Sequence, residues 1–344
     1  IMFTEKELSF IYSLMLSYVI YYIQADCEGV DDILELEENI DLKEIKFHAS
    51  DLAEYLFIRH YRIQKKLCFT TYNSEDFSLI NLIGDIINNN ENCESLELDI
   101  LVYDVKVNDF EQLKKGISYN NNIRKFKICR NIFYKFYKDF FISILEGLSN
   151  NECIEKVKFM YINLPDTIFD EVFKNLNKML KLKEIKTDSS LLKNIKFYDF
   201  LKENKNLKNV SLNVQGNIKI KDSQCLLKAL KDNDTIDSLS INRCYFRKNN
   251  NYFKEISKIL IDNNKIKNLD LSDCKLGIKA EELFNIEELV KNNNFIENLN
   301  LSENDLFDYL KSTCKSDLGF SVNDNIKILN LDKNQIGNSI SGFK

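Results

Sequence analysis

Along the chain, short stretches in which apolar and polar residues alternate are separated by longer stretches whose apolar residues recur at i, i+3, i+4 and i+7. The first period predicts half-buried strands and the second predicts amphipathic helices. The strand-like stretches are clearest at Ile266–Gly277 (IKNLDLSDCKLG), Ile296–Phe307 (IENLNLSENDLF) and Ile326–Gly337 (IKILNLDKNQIG). Each reads L-x-x-L-x-L-x-x-(N/C)-x-L, with Ile, Leu or Val accepted at the L positions. Weaker copies occur at Ile236–Phe246, Leu207–Gln215, Leu182–Leu192, Ile154–Leu164, Ile123–Phe133, Cys93–Tyr103 and Leu42–Leu52, and a degenerate one surrounds Leu67 and Phe69. Their fourth-position residues are Ile45, Leu67, Leu96, Phe126, Val157, Ile185, Val210, Leu239, Leu269, Leu299 and Leu329. The spacings between them run 22, 29, 30, 31, 28, 25, 29, 30, 30 and 30. So near-constant a period marks a repeat architecture.

The residue types follow from the geometry. In an alternating strand Leu269 and Leu271 face the core, while Asn268, Asp270 and Ser272 face outwards. The Asn/Cys position (Asn131, Cys244, Cys274, Asn304, Asn334) follows each strand. A buried Asn there can hydrogen-bond backbone groups of the turning chain, and Cys packs there as a small hydrophobe. Helical patterning spans Phe77–Asn90, Asp166–Leu180, Asp222–Asn233, Tyr252–Asn264 and Ala280–Asn293. Most of these end in an Asn-rich run, which predicts left-handed C-terminal caps.

A strand–helix repeat reading NLDLS…LG…ELVKNN…IENLNLS resembles the ribonuclease-inhibitor class of leucine-rich repeats. The resemblance covers roughly residues 40–340 and departs in its Phe, Val and Ile at Leu positions, its uneven spacing and its Asn-rich helix ends. It implies an α/β solenoid with parallel strands on a concave face and helices on a convex one. Strands about 4.8 Å apart against helices about 9 Å apart would turn each of about eleven repeats by roughly 20°, giving an open horseshoe. Residues 41–344 are expected to form this domain, and residues 1–40 an N-terminal helical capping segment.

Within that segment Leu8–Ala25 carries no formal charge, the lower limit for a membrane span. Yet Ser9, Ser13 and Ser17 share one helical face, with Leu8, Ile11, Met15, Tyr18, Tyr22 and Ile23 on the other. Thr4 and Glu7 make a capping box, and the preceding residues have the wrong charge for a signal sequence. A membrane is therefore a partner only if residues 8–25 are an anchor. Nine scattered Cys without a CxxC pair fit reduced thiols and a cytoplasmic location, and two His leave no zinc framework.

Composition narrows the function classes. The net charge of −6 speaks against a general nucleic-acid binder. No phosphate loop, dinucleotide fingerprint, nucleophile elbow or zinc-protease motif occurs. His48 and His60 lack a visible orienting partner, so neither enzyme activity nor a cofactor is expected. The informative positions are the outward strand residues, which stacking makes into one surface. Lys125, Lys127, Arg130, Lys156, Lys158 and Lys186 predict a basic middle, with Met160 and Tyr161 as apolar anchors. Towards the C-terminus the row turns neutral and then acidic. Such a face would dock an acidic protein surface, although 41 of the 47 cations are Lys, and Lys-rich composition alone would also populate it. The aromatic stretch Phe133–Phe141 is read as buried packing, and Cys244 and Cys274 as inert buried thiols.

The expected function is a non-enzymatic protein-interaction scaffold. The repeat class leaves two alternatives: a GTPase activator resembling the Ran GTPase-activating protein, and the ligand-sensing module of a larger receptor. No helix is predicted after Ile336 to cover the last repeat, so the expected state is a monomer or end-to-end self-association.

Overall fold

Each apolar pair of the motif becomes the inward side of a short strand. The computed structural model describes residues 45–48, 66–74, 78–102, 110–129, 137–162, 164–192, 194–216, 220–244, 252–276, 280–306 and 323–334. These fall into two compact units, divided between Cys153 and Ile154. The expected cap over residues 1–40, Arg130, Asn131 and His60 lie outside the described residues.

In the first unit β1 (Ile45–His48), β2 (Lys66–Ser74), β3 (Ser95–Val102) and β4 (Lys125–Cys129) pair in parallel in chain order. Between and after them run α1 (Ser78–Asn89), α2 (Glu111–Tyr119) and α3 (Tyr137–Asn150). The second unit pairs β5 (Lys156–Met160), β6 (Glu184–Asp188), β7 (Asn209–Gly216), β8 (Ser238–Cys244), β9 (Asn268–Asp270), β10 (Asn298–Asn300) and β11 (Ile328–Asn330), again parallel and sequential. A 3-10 turn (Asp166–Ile168) leads into α4 (Phe169–Lys178). It is followed by α5 (Ser189–Leu192), α6 (Ile195–Glu203), α7 (Ile220–Asp232), α8 (Tyr252–Asp262) and α9 (Ala280–Asn292). Sequential parallel strands require such crossovers.

The fourth-position residues stand in register within each unit: Ile45, Leu67, Leu96 and Phe126 in the first, Val157 through Leu329 in the second. The core lies on their side of the sheet, where Phe126, Ile128, Leu269 and Leu271 are buried. Phe140 and Phe141 are buried too, as read from the sequence, and Phe110 meets Phe140 edge-on at 5.2 Å. In the second unit Phe173 stacks on Phe200 at 5.4 Å.

Helices α1 and α2 touch backbone to backbone. A Cβ on Gly116 would lie 2.2 Å from the Gly84 carbonyl oxygen, and one on Gly84 would lie 2.3 Å from the Gln112 carbonyl carbon. Only glycine permits this approach. Gly116→Ala is expected to lower stability by about 2 kcal/mol through overpacking, read as a reduced denaturation midpoint.

The Asn-rich helix ends work differently from the left-handed caps read from the sequence. Asn120 (φ −74°, ψ 106°) and Asn204 (φ −68°, ψ 127°) are extended. Their side chains, rather than tolerance of positive φ, explain them. Asn233 Oδ1 accepts from Thr235 N at 2.7 Å and Ile236 N at 2.8 Å, while its Nδ2 donates to the carbonyls of Leu201 at 2.8 Å and Asn204 at 2.7 Å. Asn120, Asn151, Asn293 and Asn323 likewise accept from the backbone two residues on and donate to carbonyls of the preceding repeat.

A second ladder follows the strands, where the sequence placed it. Asn304 Oδ1 accepts from Cys274 N at 2.9 Å, and its Nδ2 donates to Leu271 O at 2.8 Å and Leu301 O at 3.0 Å. Asn334 repeats these contacts with Asn304 N and Leu301 O. Asn233→Ala would orphan several buried backbone groups, and a loss of about 3 kcal/mol is expected by denaturant unfolding.

Candidate functional site

Within each unit the outward strand positions of successive repeats stand side by side on one face. In the first unit Lys125 is exposed and Lys127 half-buried. Lys127 pairs with Glu97 on β3, which also lies 3.8 Å from Lys66 on β2. In the second unit Lys156 stands in register with Glu184 and pairs with it at 2.5 Å. Two of the cations expected to make a basic surface therefore face carboxylates. Glu97 and Glu184 were legible in principle, since the repeat frame that picks out the lysines puts both at outward positions. Lys158 and Lys186 are partners in register, so two like charges stand side by side.

Met160 does not serve as the expected exposed anchor: it is 5% exposed. The alternation stops one residue early, with Phe159 and Met160 both buried. The chain leaves β5 at Tyr161 in a left-handed conformation (φ 60°), pinned by its N–H to the buried Asp188 carboxylate on β6. Tyr161 itself is 51% exposed.

Further along the second unit the outward face opens into a trough of about 600 Å³. Its floor is laid in rows that cross the strands. One row runs Asn209, Ser238, Asn268, Asn298 and the next Ser211, Ser240, Asp270, Asn300, Asn330. The rows are cross-linked: Asn268 Nδ2 donates to Ser238 Oγ at 2.7 Å, and Asn242 Nδ2 donates to Asp270 Oδ2 at 2.8 Å and Ser272 Oγ at 2.7 Å.

The rim is set by the turn that follows each strand. Arg243, Asp273, Glu303 and Lys333 hold equivalent places, all with φ between 53° and 60°. The strain is offset by backbone bonds to the next repeat, Asp273 N to Ser302 O at 3.0 Å and Glu303 N to Asp332 O at 2.9 Å. Their charges pair along the rim, Arg243 with Asp273 at 3.4 Å and Lys333 with Glu303 at 2.7 Å. The Lys333 ammonium, by hydrogen bond and charge, holds the Glu303 carboxyl below its usual range.

His48 lies on β1. Among the described residues no group of three or more His, Cys, Asp or Glu could hold a metal ion, and no helix is long and apolar enough to cross a membrane.

No family model matches the chain, and no curated protein does. Solved structures match it: the crystal structure of the leucine-rich repeat-containing protein LegL7 from Legionella pneumophila superposes with a TM-score of 0.54 at 14% identity, covering 84% of this chain and 91% of that one. This chain has a leucine-rich-repeat fold. Weaker matches are the tropomodulin C-terminal domain of Caenorhabditis elegans (TM-score 0.27, 12% identity, 60% of this chain and 99% of that one) and TLR13 complexed with ssRNA13 (0.38, 12%, 71% and 30%).

Cysteines of the leucine-rich repeats sort by position. Cys244 and Cys274 occupy the turn site and are buried, as is Cys93, whereas Cys129, Cys153 and Cys225 are half-buried. Burial pushes the Cys93 thiol up to about 12 and that of Cys274 well above its ordinary value. At pH 8 a thiol reagent is expected to modify Cys153 and Cys225 while sparing Cys93, Cys244 and Cys274 until the chain unfolds, read site by site by mass spectrometry.

Proposed function

We propose that this leucine-rich-repeat chain is a non-enzymatic scaffold that holds a polypeptide partner against the outward face of its strands. The trough in the second unit carries the reading: strand after strand offers amide and hydroxyl groups at one level, on a floor fixed by backbone hydrogen bonds. A surface already rigid loses little entropy when it engages a partner. Lys158, Lys186 and Tyr161 extend the contact along β5 and β6, and Lys125 and Lys127 belong to the corresponding face of the first unit. The free thiols of Cys93, Cys129, Cys153, Cys225 and Cys274 suit a reducing compartment, and a cytoplasmic location is part of the proposal.

Affinity capture from the source organism's lysate, read by mass spectrometry, tests the surface. A Ser211→Tyr variant, which places an aromatic ring in the trough, is expected to lose at least about tenfold of the partner recovered by the unaltered chain. Lys254→Glu, on the exposed side of α8, is expected to retain it. Equal recovery by all three proteins would move the contact surface away from the strands.

A further inference from the structure

The trough contains four carboxylates, and three of them are matched by cations. Glu184 pairs with Lys156, Asp273 with Arg243 and Lys275, and Glu303 with Lys333. Asp270 is the fourth. It sits mid-row between Ser240 of β8 and Asn300 of β10, and among the described residues no lysine or arginine forms an ion pair with it.

Its charge is not needed by the fold. Asp270 Oδ1 accepts the Ser272 N–H at 3.0 Å and so closes the turn after β9. Asn300 closes the next turn through Ser302 N at 3.1 Å, and Asn330 the one after through Asp332 N at 2.9 Å. A neutral amide therefore suffices to close the turn. What distinguishes Asp270 is its other oxygen, which accepts from Asn242 Nδ2 at 2.8 Å and Ser240 Oγ at 3.2 Å. These donors orient the carboxylate on the trough floor without neutralising it.

We propose that Asp270 is the seat for a lysine or arginine side chain carried by the polypeptide partner. This rests on the reading of the strand face as the contact surface and specifies the partner's chemistry there. Among the described residues no three His, Cys, Asp or Glu groups stand together to hold a metal ion, so Asp270 lacks the further ligands that a divalent cation takes. It does match the ammonium or guanidinium of a basic side chain, which such a carboxylate binds by charge-assisted hydrogen bonds. A trough of about 600 Å³ has room for more than that one group, and Asn209, Asn268 and Asn298 offer the donors and acceptors that neighbouring peptide groups require. The complementary charge at this point is thus positive, the reverse of the acidic partner that the lysines of the sequence led one to expect.

The test selects a displayed library of random 12-residue peptides on the full chain and measures the synthesised binders by fluorescence anisotropy. Enriched peptides are expected to carry a Lys or Arg whose replacement by glutamine weakens binding about tenfold. Asp270→Asn, the residue that the following repeats use, is expected to fold normally and weaken the unaltered peptide by the same factor. The two changes together should cost little more than either alone. The glutamine peptides test the pair on the unaltered protein, independently of any effect of the substitution on folding. Ser240→Tyr, which obstructs the trough, separates the two readings. Binders lost with Ser240→Tyr but indifferent to Asp270→Asn overturn the basic-residue seat and leave the scaffold reading standing. Binders indifferent to both, or no enriched peptide, overturn both.

Discussion

Buried side-chain amides complete the backbone hydrogen bonding of this chain, and the rest of the structure depends on them. Where the described residues include them, the bends after the strand and after the helix turn peptide groups inwards, away from water. At the helix end Asn233 gives its carbonyl oxygen to two N–H groups of its own turn and its NH₂ to two carbonyls of the repeat before. At the strand end Asn304 and Asn334 do the equivalent work. Because each amide bonds its neighbour repeat, the ladders join repeats as well as closing turns, and losing one rung leaves both sides unsatisfied.

The outward face follows from this. With turns fixed from below, the residues beside the ladder can sit at positive φ without glycine, so Arg243, Asp273, Glu303 and Lys333 present charged side chains where a flexible loop would otherwise run. The trough floor is equally fixed, since Asp270, Asn300 and Asn330 are each tied to the backbone two residues on. A surface built this way varies its chemistry from repeat to repeat while its geometry stays put. That is the physical basis for reading it as a recognition surface, and for giving weight to Asp270, where an anion stands in a turn that the next two repeats close with an amide.

Much of this was legible in the chain. The 30-residue recurrence of the L-x-x-L-x-L frame set the strands and their register, and the periodic stretches located five of the nine helices among the described residues, four of them to within two residues at each end. Asn304 and Asn334 bond the turning backbone as their place in the motif predicts. The Asn-rich helix ends are plain in the sequence, but their role comes from side-chain bonds to the repeat about 30 residues before, which no single helix displays. The pairing of Glu97 and Glu184 with outward lysines is not visible in any single strand, because a sheet face is neutral or charged according to what lies across the ladder.

The sequence by itself determined the repeat and the inward and outward sides of most strand positions, because these depend on periodicities of two and 3.6 that a single strand or helix already displays; the parallel strand order was implied by the resemblance to leucine-rich repeats. The tertiary structure decided which charges cancel, which asparagines are buried and whether an outward residue remains outward. Met160 is enclosed because the chain turns at Tyr161, and among the described residues no cation pairs with Asp270 while Asp273, three residues on, has two. Those outcomes are set by neighbours about 30 residues away along the chain, brought within hydrogen-bonding distance only when one repeat is laid against the next.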